Sequence, residues 1–114
     1  MKILEPEFIR QDKRGVLLQL STGDWKQCNI LKIKKGYVFG NHYHRIKTEL
    51  FYVLKGKIHL TIKKKSYKTY TRICADNDCF LVEPYENHIL EAKEDTVLVE
   101  LLSHPYSKED IYSD

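Results

Sequence analysis

Short β-type runs, broken at close intervals by turn residues, leave this chain little choice but an all-β fold. Residues 15–20, 25–34, 48–55, 57–63, 67–74, 79–83, 88–93 and 96–102 are rich in β-branched, aromatic or alternating apolar side chains. Between them lie turn signals: Ser21-Thr-Gly-Asp24, Gly56, Lys64-Lys65-Ser66, Ala75-Asp-Asn-Asp78, Pro84-Tyr-Glu-Asn87 and Glu94-Asp95. Nowhere does an apolar period of 3.6 residues persist for three turns. Many short strands at such spacing predict a sandwich or barrel. The one helix expected is short, over residues 107–112, where Ser-Lys-Glu-Asp makes a plausible start.

At 114 residues, with 42% hydrophobic and 31% charged residues, the chain reads as one globular domain spanning 1–114. Its core is expected over about 15–102 and a polar tail over 103–114. A net charge of +3 is too mild to imply a polyanionic partner. No apolar run approaches the roughly 20 residues of a membrane helix. An early glutamate and Pro6 stand where a secretory signal would be apolar, so the expected setting is cytoplasmic. Cys28, Cys74 and Cys79 form no C-x-x-C pair and are read as reduced, mostly packed thiols.

Side-chain alternation assigns faces. Trp25, Gln27, Asn29, Leu31 and Ile33 share one side of their strand, while Lys26, Cys28, Ile30, Lys32 and Lys34 share the wetter side. Two amides thus point inward, and buried amides need partners. A ligand in a cavity or neighbouring backbone could supply them. The basic run from Lys63 to Arg72, interleaved with Tyr67 and Tyr70, has the composition of a single-stranded nucleic-acid site. It falls on a predicted hairpin, where lysines protect a strand edge, and no nucleic-acid partner is expected.

The chemistry concentrates between Gly36 and Gly56. His42 and His44 alternate on a predicted strand, so both rings can reach one point. Glu49 shares a face with Phe51 and Val53, and His88 shares one with Leu90 and Ala92. A lone inward carboxylate carries a heavy desolvation penalty unless paired or metal-bound. Three imidazoles and one carboxylate, all inward, suit zinc, iron, manganese, nickel or copper. His59 is expected to face away from the core, and His104 to lie at a cavity mouth or subunit contact.

Gly36, His42, His44, Glu49 and Gly56 fill every defined position of what resembles the first cupin motif. The second cupin motif is matched in part: Pro84 and His88 flank a tight loop, but Asp78 and Glu86 stand in place of its glycines. The resemblance implies a cupin double-stranded β-helix, or jelly-roll barrel, with His42, His44, Glu49 and His88 binding a divalent transition metal. More finely, His42-Tyr-His44-Arg-Ile-Lys47-Thr48-Glu49-Leu-Phe51 resembles the H-Y-H-x-x-K-T-E-x-F run in the C-terminal cupin domain of capsular-polysaccharide reductase/epimerase enzymes. The sequence departs from that family at Ile89, where asparagine is expected.

That resemblance implies a nucleotide-linked keto-sugar as small-molecule partner, and isomerase or epimerase chemistry by proton transfer next to a carbonyl. Such chemistry needs proton carriers, for which Lys47 and Tyr85 are the candidates; the bland alternatives are an exposed hairpin lysine and a turn tyrosine. Gln27, Asn29 and Arg45 are the candidate substrate contacts, Arg45 toward a diphosphate. Two other functions share the ligand set: a metal-dependent dioxygenase and a non-enzymatic sensor. Exposed tyrosines together with the cupin resemblance suggest a homodimer.

Overall fold

The computed structural model of the protein describes residues 1–64 and 68–113. The expected turn at Lys64–Ser66 lies largely outside the described residues, as does Tyr67 at the start of one expected strand. Among the described residues eleven strands form in chain order: β1 Lys2–Leu4, β2 Phe8–Asp12, β3 Gly15–Gln19, β4 Gln27–Ile33, β5 Val38–His42, β6 Glu49–Lys55, β7 Lys57–Lys63, β8 Thr69–Ala75, β9 Cys79–Val82, β10 Asn87–Ala92 and β11 Thr96–Leu102. They make a five-stranded sheet, β1-β9-β6-β11-β4, a four-stranded sheet, β5-β10-β7-β8, and the separate hairpin β2-β3.

The two larger sheets close on one core. Phe51, Val53, Phe80, Val82, Leu98 and Ile33 from one meet Ile58, Leu60, Ile62, Cys74, Leu90 and Ala92 from the other. Strict alternation produces this: in β7 Ile58, Leu60 and Ile62 are buried while Lys57 and Lys63 are in solvent. Phe51 and Phe80 stack with centroids 5.1 Å apart. Strand β6 is buried on both faces through Val53, because Leu50 and Tyr52 join Cys79 in a second cluster on the outer side of the five-stranded sheet. Leu4, Leu20, Trp25, Leu81, Val99 and Leu101 pack around that cluster.

Two local differences from the sequence reading stand out. The strand expected over 15–20 does form, as Gly15–Gln19, but pairs only with β2, and every residue of that hairpin is exposed. The helix expected over 107–112 shrinks to one 3-10 turn, Lys108–Asp110. It stops there because Tyr112 turns extended and exchanges both backbone hydrogen bonds with Tyr43, at 2.9 and 3.0 Å. That tertiary pairing outweighs the weak helical preference of a six-residue segment.

Candidate metal centre

Strands β5, β6 and β10 bring the ligand set together. His42 ends β5 and lies opposite His88 of β10, just before a register shift between His88 and Ile89. Gly40 makes that approach possible. Its φ is +96°, and a Cβ there would sit 2.4 Å from the His88 carbonyl oxygen. His44 lies past the end of β5, and Glu49 opens β6. The rings of His42 and His44 are 4.8 Å apart, and those of His42 and His88 are 4.7 Å apart, both edge-to-face.

One donor atom each from His42, His44, Glu49 and His88 lies within 4.8 Å of all the others. Ligands about 2.0–2.2 Å from one ion lie at most about 4.4 Å from each other. An opposed pair would need to close by only a few tenths of an ångström; in a tetrahedral site, with donors about 3.3–3.6 Å apart, the widest pair would close by about 1.2–1.5 Å. Three of the four are almost wholly buried, and His42 is half-buried at the opening.

Hydrogen bonds on the far side of the rings set their chemistry. His44 Nδ1 lies 2.6 Å from the carbonyl oxygen of Asp110, and His88 Nδ1 lies 3.2 Å from that of Glu86. A carbonyl can only accept, so each Nδ1 carries the proton and each Nε2 of a neutral ring presents a lone pair. Both point at the same carboxylate oxygen: His44 Nε2 is 2.7 Å and His88 Nε2 3.5 Å from Glu49 Oε1. Yet His44 Nε2 and Glu49 Oε1 are buried without an aligned hydrogen-bond partner. Two acceptors at this separation repel unless a proton or a cation lies between them. The donor set fits a divalent transition metal, with hard and borderline N and O ligands and no thiolate.

Protonation states agree with that fit. Burial, then the neighbouring His88 and His44, bring His42 down to about 4. Burial also lowers His88, against the opposing pull of Glu49. Burial pushes Glu49 up, but hydrogen bonds to its carboxylate, from His44 when a proton sits on that Nε2 and from Glu100, hold it below the ordinary carboxylate range. Near neutral pH, His42 and His88 are thus uncharged bases and Glu49 is an anion.

Glu100 is the residue that sequence reasoning missed. Burial and the adjacent Glu49 raise its carboxyl to about 8, with Asn29 opposing. At pH 7 it is mostly protonated and donates to Glu49, while its Oε1 accepts from Asn29 Nδ2 at 2.9 Å. The signal was available: Glu100 sits between Leu98 and Leu102 on the inward face of β11.

The other expected site residues are placed as follows. Gln27 and Asn29 do face inward, and their amides engage one another at 3.2 Å, the Glu100 carboxyl and the Tyr106 backbone N–H. Lys47 is not an exposed hairpin lysine. It is 5% exposed, its ammonium lies 5.8 Å from the Tyr106 ring centre, and its charge helps depress His42 and His88. Tyr85 is 45% exposed at a left-handed φ of 69°, its ring stacked 6.2 Å from Tyr43 and its N–H bonded to the His44 carbonyl at 2.6 Å. Arg45 is exposed, with its guanidinium 4.0 Å above the Tyr112 ring. His59 is on the outer face near Glu91, and His104 is exposed beside Ser103.

A cavity of about 140 Å³ opens over the cluster, lined by Leu31, Phe39, His42, Glu49, His88 and Glu100, among others. A β-sandwich barrel with apolar walls and three imidazoles and a carboxylate converging inside it is a cupin. The family model for the polysaccharide biosynthesis C-terminal domain matches residues 10–108. The chain belongs to that family.

No curated protein sequence matches the chain. Among solved structures it is similar to QdtA, a sugar 3,4-ketoisomerase from Thermoanaerobacterium thermosaccharolyticum in complex with TDP. The TM-score is 0.86 and the identity 19%, over 99% of this chain and 87% of that one. It is similar to a dTDP-4-dehydrorhamnose 3,5-epimerase from Sulfolobus tokodaii, at TM-score 0.77 and 22% identity, over 90% and 70% of the two chains. It also resembles the capsular polysaccharide assembling protein CapF from Staphylococcus aureus, at TM-score 0.72 and 21% identity. That match covers 99% of this chain and 32% of CapF. At these identities the likeness establishes a shared fold.

Proposed function

We propose that this cupin is an isomerase or epimerase of a nucleotide-linked keto-sugar, and that it moves a proton next to the sugar carbonyl. One observation carries the reading: a metal-capable His/Glu cluster faces one small cavity with largely apolar walls, and the buried Lys47 lies near enough for its charge to act on His42 and His88. The similar structures support it, since QdtA was solved with TDP and with TDP-4-keto-6-deoxyglucose. A cavity of about 140 Å³ is smaller than the roughly 300 Å³ or more of a pocket for a drug-sized ligand. The sugar's reacting end would enter the barrel, and the nucleotide would lie outside it.

His42, His44, Glu49 and His88 would hold the divalent metal, which when bound supplies Lewis acidity toward a carbonyl oxygen. Lys47 sets a fixed positive charge where negative charge develops as the neighbouring C–H bond breaks and its electron pair enters the enolate. The proton then returns either to the opposite face of the same carbon or to the former carbonyl carbon as the carbonyl migrates. Tyr85, exposed and stacked on Tyr43, is the proposed proton carrier. Asn29, bonded to Glu100, and Gln27, bonded to Asn29, are the proposed sugar contacts, and the exposed Arg45 would meet a diphosphate.

The working unit in this reading is a cytoplasmic homodimer. Among the described residues no helix is long and apolar enough to cross a membrane. The exposed hairpin β2-β3 carries Phe8, Ile9, Val16, Leu17 and Leu18, and an isolated two-stranded hairpin is marginal in water without cover. A second copy of the chain is the proposed cover.

The test is incubation of metal-loaded protein with nucleotide-linked 4-keto sugars in deuterium oxide, followed by NMR. Deuterium at a carbon beside the carbonyl, lost in Lys47→Met, is expected. Tight binding with no exchange on any such sugar would leave the sensor alternative. Oxygen uptake with iron(II) would favour the dioxygenase.

A further inference from the structure

We infer that the C-terminal segment is a positioning element for the metal ligand His44, with Asp110 as its anchor. The inference rests on the metal reading above, but its geometry is independent of any bound ion. Asp110 is buried, at 7% exposure, in a tail that is otherwise largely exposed or half-buried. Its carboxylate accepts three successive backbone N–H groups: Arg45 at 2.9 Å, Ile46 at 3.3 Å and Lys47 at 3.3 Å. Its carbonyl accepts from His44 Nδ1 at 2.6 Å. One residue, 66 positions away in sequence, thus fixes both the loop that carries Lys47 and the ring of His44.

The segment is clamped on either side of Asp110. Tyr106 N–H bonds Gln27 Oε1 at 2.7 Å before it. After it, Tyr112 exchanges two backbone hydrogen bonds with Tyr43 and stacks on its ring at 5.4 Å, under the Arg45 guanidinium. A ring held only by its own χ angles could rotate or switch tautomer. With Nδ1–H committed to the Asp110 carbonyl, the Nε2 lone pair is aimed at Glu49 Oε1. Asp110 never reaches the cavity, so it is a positioning residue and not a catalytic one.

The experiment uses the full chain, metal-free and labelled with nitrogen-15, and reads two quantities. Ring-nitrogen shifts report the His44 tautomer, and competition with a chelator reports zinc affinity. Wild type is expected to show a single Nδ1–H tautomer. Asp110→Ala removes the carboxylate anchor and frees the backbone carbonyl to drift from His44 Nδ1, so it should show a mixture of tautomers and a zinc affinity lower by about 10- to 100-fold, the usual range when such a partner is lost. Glu109→Ala, on the outer side of the same turn where its carboxylate accepts from Ser107, should leave both readouts unchanged. Should Asp110→Ala not fold, Tyr112→Pro removes both the ring stacked on Tyr43 and the N–H that the Tyr43 carbonyl accepts, loosening the segment outside the core, and carries the same expectation.

A folded variant with the wild-type tautomer and affinity within about twofold would overturn the inference. If wild type takes up no zinc while the tautomer still depends on Asp110, the metal reading falls and the positioning role stands. If wild type binds zinc and the variants match it in both readouts, the reverse holds.

Discussion

Two glycines of the Gly36–Gly56 run have the same backbone habit and should nevertheless differ sharply on substitution. Gly36 has φ +89° and Gly56 φ +119°, so alanine is strained at either, by about 1–3 kcal/mol. Around Gly36 a new Cβ meets nothing within 4 Å. At Gly56 it meets Thr96 Oγ1 at 2.4 Å, Thr96 Cα at 2.7 Å and the Asp95 carbonyl at 2.8 Å. Only the first of these atoms could rotate away. The other two are backbone of the turn leading into β11, where Asp95, Thr96 and Lys57 already share hydrogen bonds with the sheet ends. Forcing them apart adds about 1–3 kcal/mol of overpacking. Gly36→Ala should therefore cost about 1–3 kcal/mol and Gly56→Ala about 2–6. Urea unfolding monitored by Trp25 fluorescence measures both at an unchanged m-value. Equal losses for the two variants would refute the steric half of the reasoning, and a neutral Gly36→Ala would refute the conformational half.

Further outcomes follow from the same structure. Burial raises the Cys74 and Cys79 thiols to about 11, against about 9 when unfolded, so the fold favours their protonated form. The unfolded chain binds fewer protons between those values, and stability should fall as pH rises from about 9 to 11. Comparing the unfolding midpoint of wild type with Cys74→Ala/Cys79→Ala isolates this slope, which should flatten in the double variant. Metal analysis of untagged protein should find stoichiometric divalent metal in wild type and a large loss in His42→Ala and His88→Ala. Wild type that neither carries nor takes up metal on reconstitution would remove the site's proposed role. Leu98→Ala, at a fully buried position between the sheets, should destabilise by about 2–5 kcal/mol in the same urea assay. Leu17→Glu on the exposed hairpin should shift the sedimentation mass from dimer to monomer. A wild type that sediments as a monomer would dispose of the homodimer.

The convergence of His42, His44, Glu49 and His88 and the strands that carry them were legible in the sequence for a simple reason. Period-two alternation is local, and Glu49-x-Phe51-x-Val53 or His88-x-Leu90-x-Ala92 states its inward face without reference to any other strand. The same rule turned Gln27 and Asn29 inward correctly. For residues 15–19 the strand itself was legible, but its place outside the expected core was not, because a local pattern does not say whether a second sheet lies behind a strand.

What the sequence by itself determined is the donor inventory: three imidazoles and a carboxylate at spacings that strands convert into one face. Only the tertiary structure decided what surrounds them. Glu100 reaches Glu49 because β11 pairs with β6, and Asn29 reaches Glu100 because β11 pairs with β4 on its other edge. Gly40 matters through a bulge in a different strand, and Asp110 through a loop 66 residues upstream. These contacts are non-local hydrogen bonds and close approaches. Their partners share no periodic pattern along the chain, so pairing of the sheets has to occur before the residues can meet.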